Sequence, residues 1–502
     1  MSDHHPDPAE RDLPPLGTGP FRSRLAQITV IACFGGLLFG YDTGVANGAE
    51  GPMQIELGLS DLQIGFVISA LVFAAAIGAF VGGTVSDRIG RRRSILIMSG
   101  LFLAGALLVV LSPAGPQLGE FYAPGYALLI AGRILLGLAV GAASSVVPVY
   151  LAELAPFEIR GSIAGRNEFA IVTGQLAAFV VNYVIFATLG HLDGIWRIMF
   201  AVCCLPAIAL FVGMLRMPES PRWLVDKGRR ADALQVLRTI RSEERAVAEI
   251  GTVEDIAGEE KETSQVGIRA LLTNRHLITI LLIAIGVGFV QQLTGINSIM
   301  YYGTRVLEES GMSEAQAPLA NIAFGVVAVL GAVIALRNMD RLDRRTTFLI
   351  GLALTSICHV LVGIASVLLP EGNPARPFVI LVLVVGFVLS MQTFLNVAVW
   401  VWLSEIFPLH MRGLGIGIAV FFLWIMNGIV ALFFPSLVSG VGITGTFFLF
   451  AGVGVLSLLF VWRFVPETRG VSLELLEEKV TTGEIHIVTR KKRVVDALTR
   501  RR

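Results

Sequence analysis

Long apolar runs alternate with short polar intervals along almost the whole chain. Twelve runs stand out, at about 25–47, 63–85, 94–113, 124–152, 163–189, 195–216, 276–307, 316–336, 346–369, 377–404, 414–437 and 443–464. Each holds roughly the twenty apolar residues that a helix needs to cross a bilayer, so the pattern predicts twelve membrane-spanning helices. Leu, Ile, Val, Ala and Gly dominate the runs. Glycine lets membrane helices approach closely. Composition agrees, with 54% hydrophobic and 15% charged residues among 502 and a mean hydropathy of +0.74.

The remaining composition narrows the function classes. A net charge of +1 carries no nucleic-acid signature. Cys33, Cys203, Cys204 and Cys358 all fall in apolar runs, which predicts neither disulfides nor a zinc site. Residues 1–24 are polar, with no apolar core or cleavage site, and read as a cytosolic tail rather than a removable signal. There is no HExxH, no GxxxxGK[ST] and no convincing nucleophile–base set. The expectation is a non-enzymatic protein without metal or organic cofactor.

Loop charge predicts orientation. Arg88, Arg91, Arg92 and Arg93 lie in the second loop, Arg160 in the fourth, Arg337, Arg341, Arg344 and Arg345 in the eighth, and Arg412 in the tenth. Odd-numbered loops carry little Lys or Arg apart from Arg305 and Arg376. By the positive-inside rule, the even loops and both termini face the cytoplasm of a multi-pass cell-membrane protein.

The chain also repeats itself. "YLAELAPFEIRG" (150–161) returns as "WLSEIFPLHMRG" (402–413), so Glu153 and Arg160 map onto Glu405 and Arg412 with a shift of 252. "DRIGRR" returns as "DRLDRR" with a shift of 253, and "PESPRW" is echoed by "PETRG". A shift of half the chain implies tandem duplication of a six-helix unit. The predicted organisation is a tail (1–24), a bundle (25–216), a cytosolic linker (217–275), a second bundle (276–465) and a tail (466–502). In the linker, Ala233, Leu234, Leu237 and Ile240 recur at helical spacing, which predicts short amphipathic helices. The basic tail "TRKKRVVDALTRRR" reads as a solvated segment, or as one touching anionic lipid.

Charges inside a membrane mark function. Asp42 lies about 25 Å from the inner end of its helix, and Arg133 about 14 Å from the outer end of the antiparallel fourth helix. A modest tilt brings them level. Pairing is the least costly way to bury either charge. The pair reads as a static salt bridge or as a proton switch in which protonation of Asp42 releases Arg133. By the same arithmetic Gln175, Gln291, Gln292 and Asn427 form one layer somewhat outward of the midplane. Carboxamides donate and accept, which suits a hydroxyl-rich ligand, although interhelical bonding is the other reading. Gly295 followed by Asn297 marks a break in the seventh helix, as at many substrate sites.

"GGTVSDRIGRRRS", "PESPRWL", "QQLTGINSIMYYG", "SEIFPLHMRG" and "PETRG" together resemble the signatures of the sugar porter family of the major facilitator superfamily, over about residues 20–480. "GRNEFAIVTGQLAAFVVN" and "GIAVFFLWIMNG" are most similar to bacterial, actinobacterial-type myo-inositol:proton symporters. The resemblance implies an all-α membrane fold of two pseudo-symmetric six-helix bundles that rock about a central site. It implies import of a cyclic polyol with protons. A glucose or hexose symporter or facilitator, or a membrane sugar sensor, are the alternatives. It implies sugar contact by Gln175, Gln291, Gln292 and Asn297, with Trp400, Trp424 and Asn427 near the site, and proton coupling by Asp42 with Arg133. Its partners would be the polyol, protons and lipid, and it would act as a monomer.

Glu168 departs from the glutamine common in that family. It shares a face with Gln175 and Asn182 at sevenfold spacing. Accepting two polyol hydroxyls, serving as a second proton site, or pairing with Arg166 all remain open. Asp87, Arg91, Arg92, Glu153, Arg160 and their echoes Asp340, Arg344, Arg345, Glu405 and Arg412 form a charged cytoplasmic ring. Its acidic members suggest a latch of interdomain salt bridges that breaks when the inside opens, rather than topology-setting charge alone.

Overall fold

A computed structural model of the chain describes residues 14, 16, 19–113, 124–251, 253–254, 274–338, 341–408, 411–469, 480 and 482, except for the side chains of 160, 161 and 164. Among the described residues all regular structure is helical. The first five spans are Pro20–Leu57, Asp61–Ile89, Arg91–Val110, Pro124–Leu154 and Arg160–Leu189. The sixth comprises Ile195–Ala201 and Cys204–Met214, and the seventh Arg275–Leu293 and Ile296–Glu309. Ala317–Asn338 and Arg344–Leu368 follow as the eighth and ninth. In the tenth, Arg376–Ser390 and Val397–Ile406 are joined by a π-turn, Met391–Asn396.

A helical stretch of 53 residues, Arg412–Phe464, holds the last two spans. A straight helix of that length would reach about 80 Å, far beyond a bilayer core of about 30 Å. At Gly442 (φ 69°) the backbone leaves the helical region, a conformation open to a residue without Cβ, and the chain turns back. The two ends of the stretch accordingly lie on one face. Arg412 donates to the Phe407 carbonyl, and Thr468, just past the far end, donates to Glu405 at 2.6 Å. Among the described residues the apolar helices therefore make twelve crossings.

Within the first half the first span packs along the fifth and the second along the fourth. Within the second half the ninth packs along the twelfth, where His359 lies against Phe447 and Phe450, and the eighth along the tenth. The halves meet where the second span lies against the eleventh, the fifth against the eighth, and the first against the outer piece of the seventh. Phe80 on Phe421 (6.1 Å) and Phe39 on Trp424 (5.5 Å) are aromatic contacts across this seam.

The face carrying residues 217–251 is termed the linker face. There Pro221–Asp226 and Arg230–Ile240 form helices, and Ala233, Leu237 and Ile240 are buried. Trp223, Leu224, Ala233, Leu237, Ala246 and Ile250 make a small core of their own. Arg241 and Arg245 converge on Glu249 (2.9 and 2.6 Å), and Arg245 also binds Glu158 of the first half at 2.9 Å. Burial holds the Arg241 guanidinium below its ordinary pKa despite Glu249. The basic tail 489–502 lies outside the described residues.

The duplication is visible in the bonding. Arg91 pairs with Glu153 at 3.0 Å, and its counterpart Arg344 with Glu405 at 2.8 Å. Glu219 of "PES" accepts the Arg92 backbone N–H, and Glu467 of "PET" accepts that of Arg345, both at 3.0 Å. Each loop motif thus places a carboxylate at a helix N-terminus, where unpaired N–H groups and the helix dipole favour it. Asn47 in the first span donates to the carbonyls of Ile299 and Met300, close to its own image under the 252-residue shift. Bonds between equivalent positions are what a pseudo-two-fold axis between the halves produces.

Candidate functional site

A cavity of about 330 Å³ lies between the halves. Glu168 and Gln175 reach it from the fifth span, Gln291, Gln292 and Asn297 from the seventh, Trp400 from the tenth, and Trp424 and Asn427 from the eleventh. All eight residues predicted from sequence to surround a ligand therefore line one space. The convergence follows from helical rise, because residues at similar depth on neighbouring antiparallel helices end in one layer.

The break at Gly295 (φ 79°) sets the local geometry of the seventh span. It puts Gln291 and Gln292 at the end of one helix and Asn297 in the first turn of the next. Asn297 Nδ2 donates to Gln292 Oε1 (2.7 Å), Gln292 Nε2 to Gln291 Oε1 (3.4 Å), and Gln291 Nε2 to Asn396 Oδ1 (3.1 Å).

Several polar atoms around the cavity are buried without a partner: Asn167 Oδ1, Gln392 Oε1, Trp424 Nε1 and Asn427 Oδ1. Burying such groups unpaired is costly. These four side chains line a common space, and their carboxamides and indole can donate to and accept from a ligand bearing several hydroxyls. Among the described residues Glu168 has no ion-pair partner, and the Arg166 pairing considered from sequence is not formed. Residues two apart on a helix point to different sides.

Asp42 and Arg133 meet beside this cavity. Arg133 Nη1 lies 3.2 and 3.4 Å from the two Asp42 oxygens, and both side chains are 1% exposed. Arg133 Nε also donates to the Val67 carbonyl at 3.2 Å, and its guanidinium lies over Phe200. Thr43, adjacent to Asp42, lines the cavity, so the pair is one residue removed from the ligand space.

The two ends of the cavity differ. On the face opposite the linker the halves are locked together. Arg305 binds Glu50 (3.0 Å), Gln54 (3.3 Å), Asp61 (2.7 Å) and Ser439 (3.1 Å), and Ser439 donates to Asp61 at 2.6 Å. Asn47 Oδ1 accepts from the Thr304 backbone (2.9 Å) and hydroxyl (2.7 Å). Toward the linker face, Ser144, Pro148 and Glu168 are only half-buried and Trp400 is 36% exposed. The cavity is sealed on one side and accessible on the other.

The charged ring on the linker face matches this state. Arg91 binds Asp87 (2.8 Å) and Glu153, and Arg344 binds Glu405, each within one half. Arg92 and Arg345 donate to carbonyls ending the sixth and twelfth spans, at Met214, Leu215 and Trp462. Asp340 and the Arg160 side chain lie outside the described residues.

Sequence reasoning missed two groups. Gln392, Asn396, Asn167, Ser144, Thr43 and Tyr301 also line the cavity. The signal for two of them was an i, i+4 polar pair, Gln392 and Asn396, inside an apolar run. The lock was missed because the first run was ended at residue 47. The helix continues to Leu57, carrying Glu50 into the seam. Arg305, read as an odd-loop exception, is a helical residue of the seventh span.

A sequence-family model described as "Sugar (and other) transporter" matches residues 28–480. The chain is 45% identical over 458 residues to the "Major myo-inositol transporter IolT" of Bacillus subtilis (strain 168), covering 91% of this chain and 94% of that protein. Its fold is similar to the partially occluded inward-open conformation of the xylose transporter XylE from E. coli, with a TM-score of 0.77, 30% identity, and coverage of 90% of this chain and 100% of that one. It is also similar to the proton:xylose symporter XylE bound to 6-bromo-6-deoxy-D-glucose (TM-score 0.73, 31% identity, 91% and 99% coverage). With twelve crossings in two duplicated halves around a carboxamide-lined cavity, the chain belongs to the sugar transporter family of the major facilitator superfamily.

Proposed function

We propose that this protein imports a cyclic polyol, myo-inositol foremost, by proton symport across the plasma membrane, acting as a monomer with both termini in the cytoplasm. The observation that carries the reading is the set of unpartnered polar atoms around the cavity, next to a buried Asp42–Arg133 pair. The 45% relative is named a myo-inositol transporter, and a solved neighbour a proton:xylose symporter. The arginine-rich linker face is cytoplasmic by the positive-inside rule. The state described here is then inward-facing.

In this mechanism Gln175, Gln291, Gln292, Asn297 and Asn427 exchange hydrogen bonds with substrate hydroxyls. The indole rings of Trp400 and Trp424 cover the apolar faces of the ring. The Glu168 carboxylate, which only accepts, takes hydrogen bonds from two adjacent hydroxyls. Asp42 carries the proton. When it is neutral its hold on Arg133 weakens, and the change biases the rocking of the halves. Asp87, Arg91, Arg92, Glu153, Arg160 and their counterparts Asp340, Arg344, Arg345, Glu405 and Arg412 re-pair across the halves when the cytoplasmic side closes. The apolar wall at 202–205 leaves Asp42 as the acid of the coupling site.

The test is uptake of labelled myo-inositol, glucose and xylose into proteoliposomes, with and without a pH gradient. Inositol accumulation that depends on the gradient is the expected result. Gradient-independent equilibration of glucose alone would overturn the reading.

A further inference from the structure

The carboxamide bonds described above run in one direction. Each amide nitrogen donates to the oxygen of the next, from Asn297 through Gln292 and Gln291 to Asn396. Gln291 and Gln292 are buried, at 3% and 5% exposure, so little solvent competes for these bonds. A one-way chain has two unlike ends. At one end Asn297 keeps its oxygen free to accept. At the other, Asn396 Nδ2 has no partner among the described residues and remains free to donate.

The π-turn Met391–Asn396 brings Trp400 onto the face that Gln392 and Asn396 share. In an unbroken α-helix Trp400 would sit roughly 80° around the axis from Gln392. One extra residue in a widened turn shifts everything after it by about 100°, which returns Gln392, Asn396 and Trp400 to one narrow face. All three line the cavity. Gln392 is 6% exposed and its Oε1 is unpartnered.

We propose that Asn396 is a specificity-determining residue: it ends the carboxamide chain as the donor that a substrate oxygen must accept, while Asn297, Gln392 and Asn427 supply oxygens to which other substrate hydroxyls must donate. The cavity then reads a cyclic polyol by the sense of each hydrogen bond as well as by shape. A hydroxyl at the Asn396 position acts as acceptor, and hydroxyls at the other three positions act as donors. This rests on the cavity being a polyol site.

Fluorine accepts but cannot donate, so it separates the two kinds of position. Binding of myo-inositol and its mono-deoxy and mono-fluoro analogues would be measured on the purified full chain. In the unaltered protein the ring position facing Asn396 should tolerate fluorine while losing about tenfold on deoxygenation; a position facing the Trp424 Nε1–H would behave alike but would not respond to substitution of Asn396. At positions facing accepting oxygens, both changes should cost about the same. Asn396→Asp still accepts from Gln291, so the chain survives, but it cannot donate to substrate. In that variant the fluoro-tolerant position should lose its tolerance. Asn396→Gln, which keeps both functions, should restore it. Asn396→Leu provides an uncharged check on folding and should lose the same tolerance, together with some affinity at every position, because it frees Gln291. An unchanged rank order of analogues in Asn396→Asp and Asn396→Leu would overturn the assignment while leaving the polyol reading intact. Absence of any polyol binding by the unaltered protein would overturn both.

Discussion

Asp42→Asn isolates the proton-coupling step. Asparagine keeps an oxygen that can face Arg133 but carries no charge and cannot take up a proton at physiological pH. In the structure Arg133 is the one ion-pair partner of Asp42 among the described residues, at 3.2 Å, with both side chains 1% exposed. Removing one charge of such a pair leaves the other buried and uncompensated, at a cost of about 3–5 kcal/mol. The Val67 carbonyl and the Phe200 ring offset part of that for Arg133. Lower thermal stability is therefore expected, by somewhat less than the full figure. Transport should change in kind. A proton crossing about 120 mV supplies about 2.8 kcal/mol, and tenfold accumulation needs about 1.4 kcal/mol, so one proton can drive roughly hundredfold concentration. With asparagine the accumulation ratio should fall to about one, while exchange of labelled for unlabelled substrate across the vesicle persists. Proteoliposomes containing inositol on both sides measure exchange, and an imposed gradient measures accumulation. An asparagine variant that still concentrated inositol under a proton gradient would refute the assignment.

Glu168→Gln should weaken inositol affinity by about tenfold or more and glucose affinity less, since a charge-assisted bond contributes about 1.5–3 kcal/mol; side-by-side uptake decides, and equal losses would exclude a specificity role. Arg305→Ala removes the contacts to Glu50, Gln54, Asp61 and Ser439 and should open the face opposite the linker. Maleimide labelling of a cysteine placed at the fully buried Ala46 should then rise, and unchanged labelling would show the lock to be energetically idle. Glu153→Gln should lower the unfolding temperature more than Glu405→Gln, because the Arg91–Glu153 side chains are 9% and 5% exposed whereas Arg344 and Glu405 are 12% and 22% exposed. Equal shifts by differential scanning fluorimetry would contradict that ordering.

The crossings and the duplication were legible without coordinates because both are local properties. A run of about twenty apolar residues can be satisfied in lipid only as a helix, whatever it packs against. The 252-residue echo of Glu153 and Arg160 is present in the letters themselves. Depth was legible too. Helical rise placed Asp42 level with Arg133, and Gln175 level with Gln291, Gln292 and Asn427, because rise per residue hardly varies. Azimuth and partner were not. Glu50 fell beyond the end drawn for the first run, and Arg305 was counted with an odd loop, because a charge breaks the apolar pattern in sequence. In the fold their charges are met across the seam by each other and by Asp61, so the helix continues. Asn396 reads as one more polar residue in an apolar stretch. Its partner Gln291 lies on another helix, and the π-turn that aligns it with Trp400 is a change in winding that the letters do not show. The side that is open is also a tertiary decision. The ring's arginines pair within their own half in this structure, and which side is open depends on how the two packed bodies sit against one another rather than on any residue's own preference.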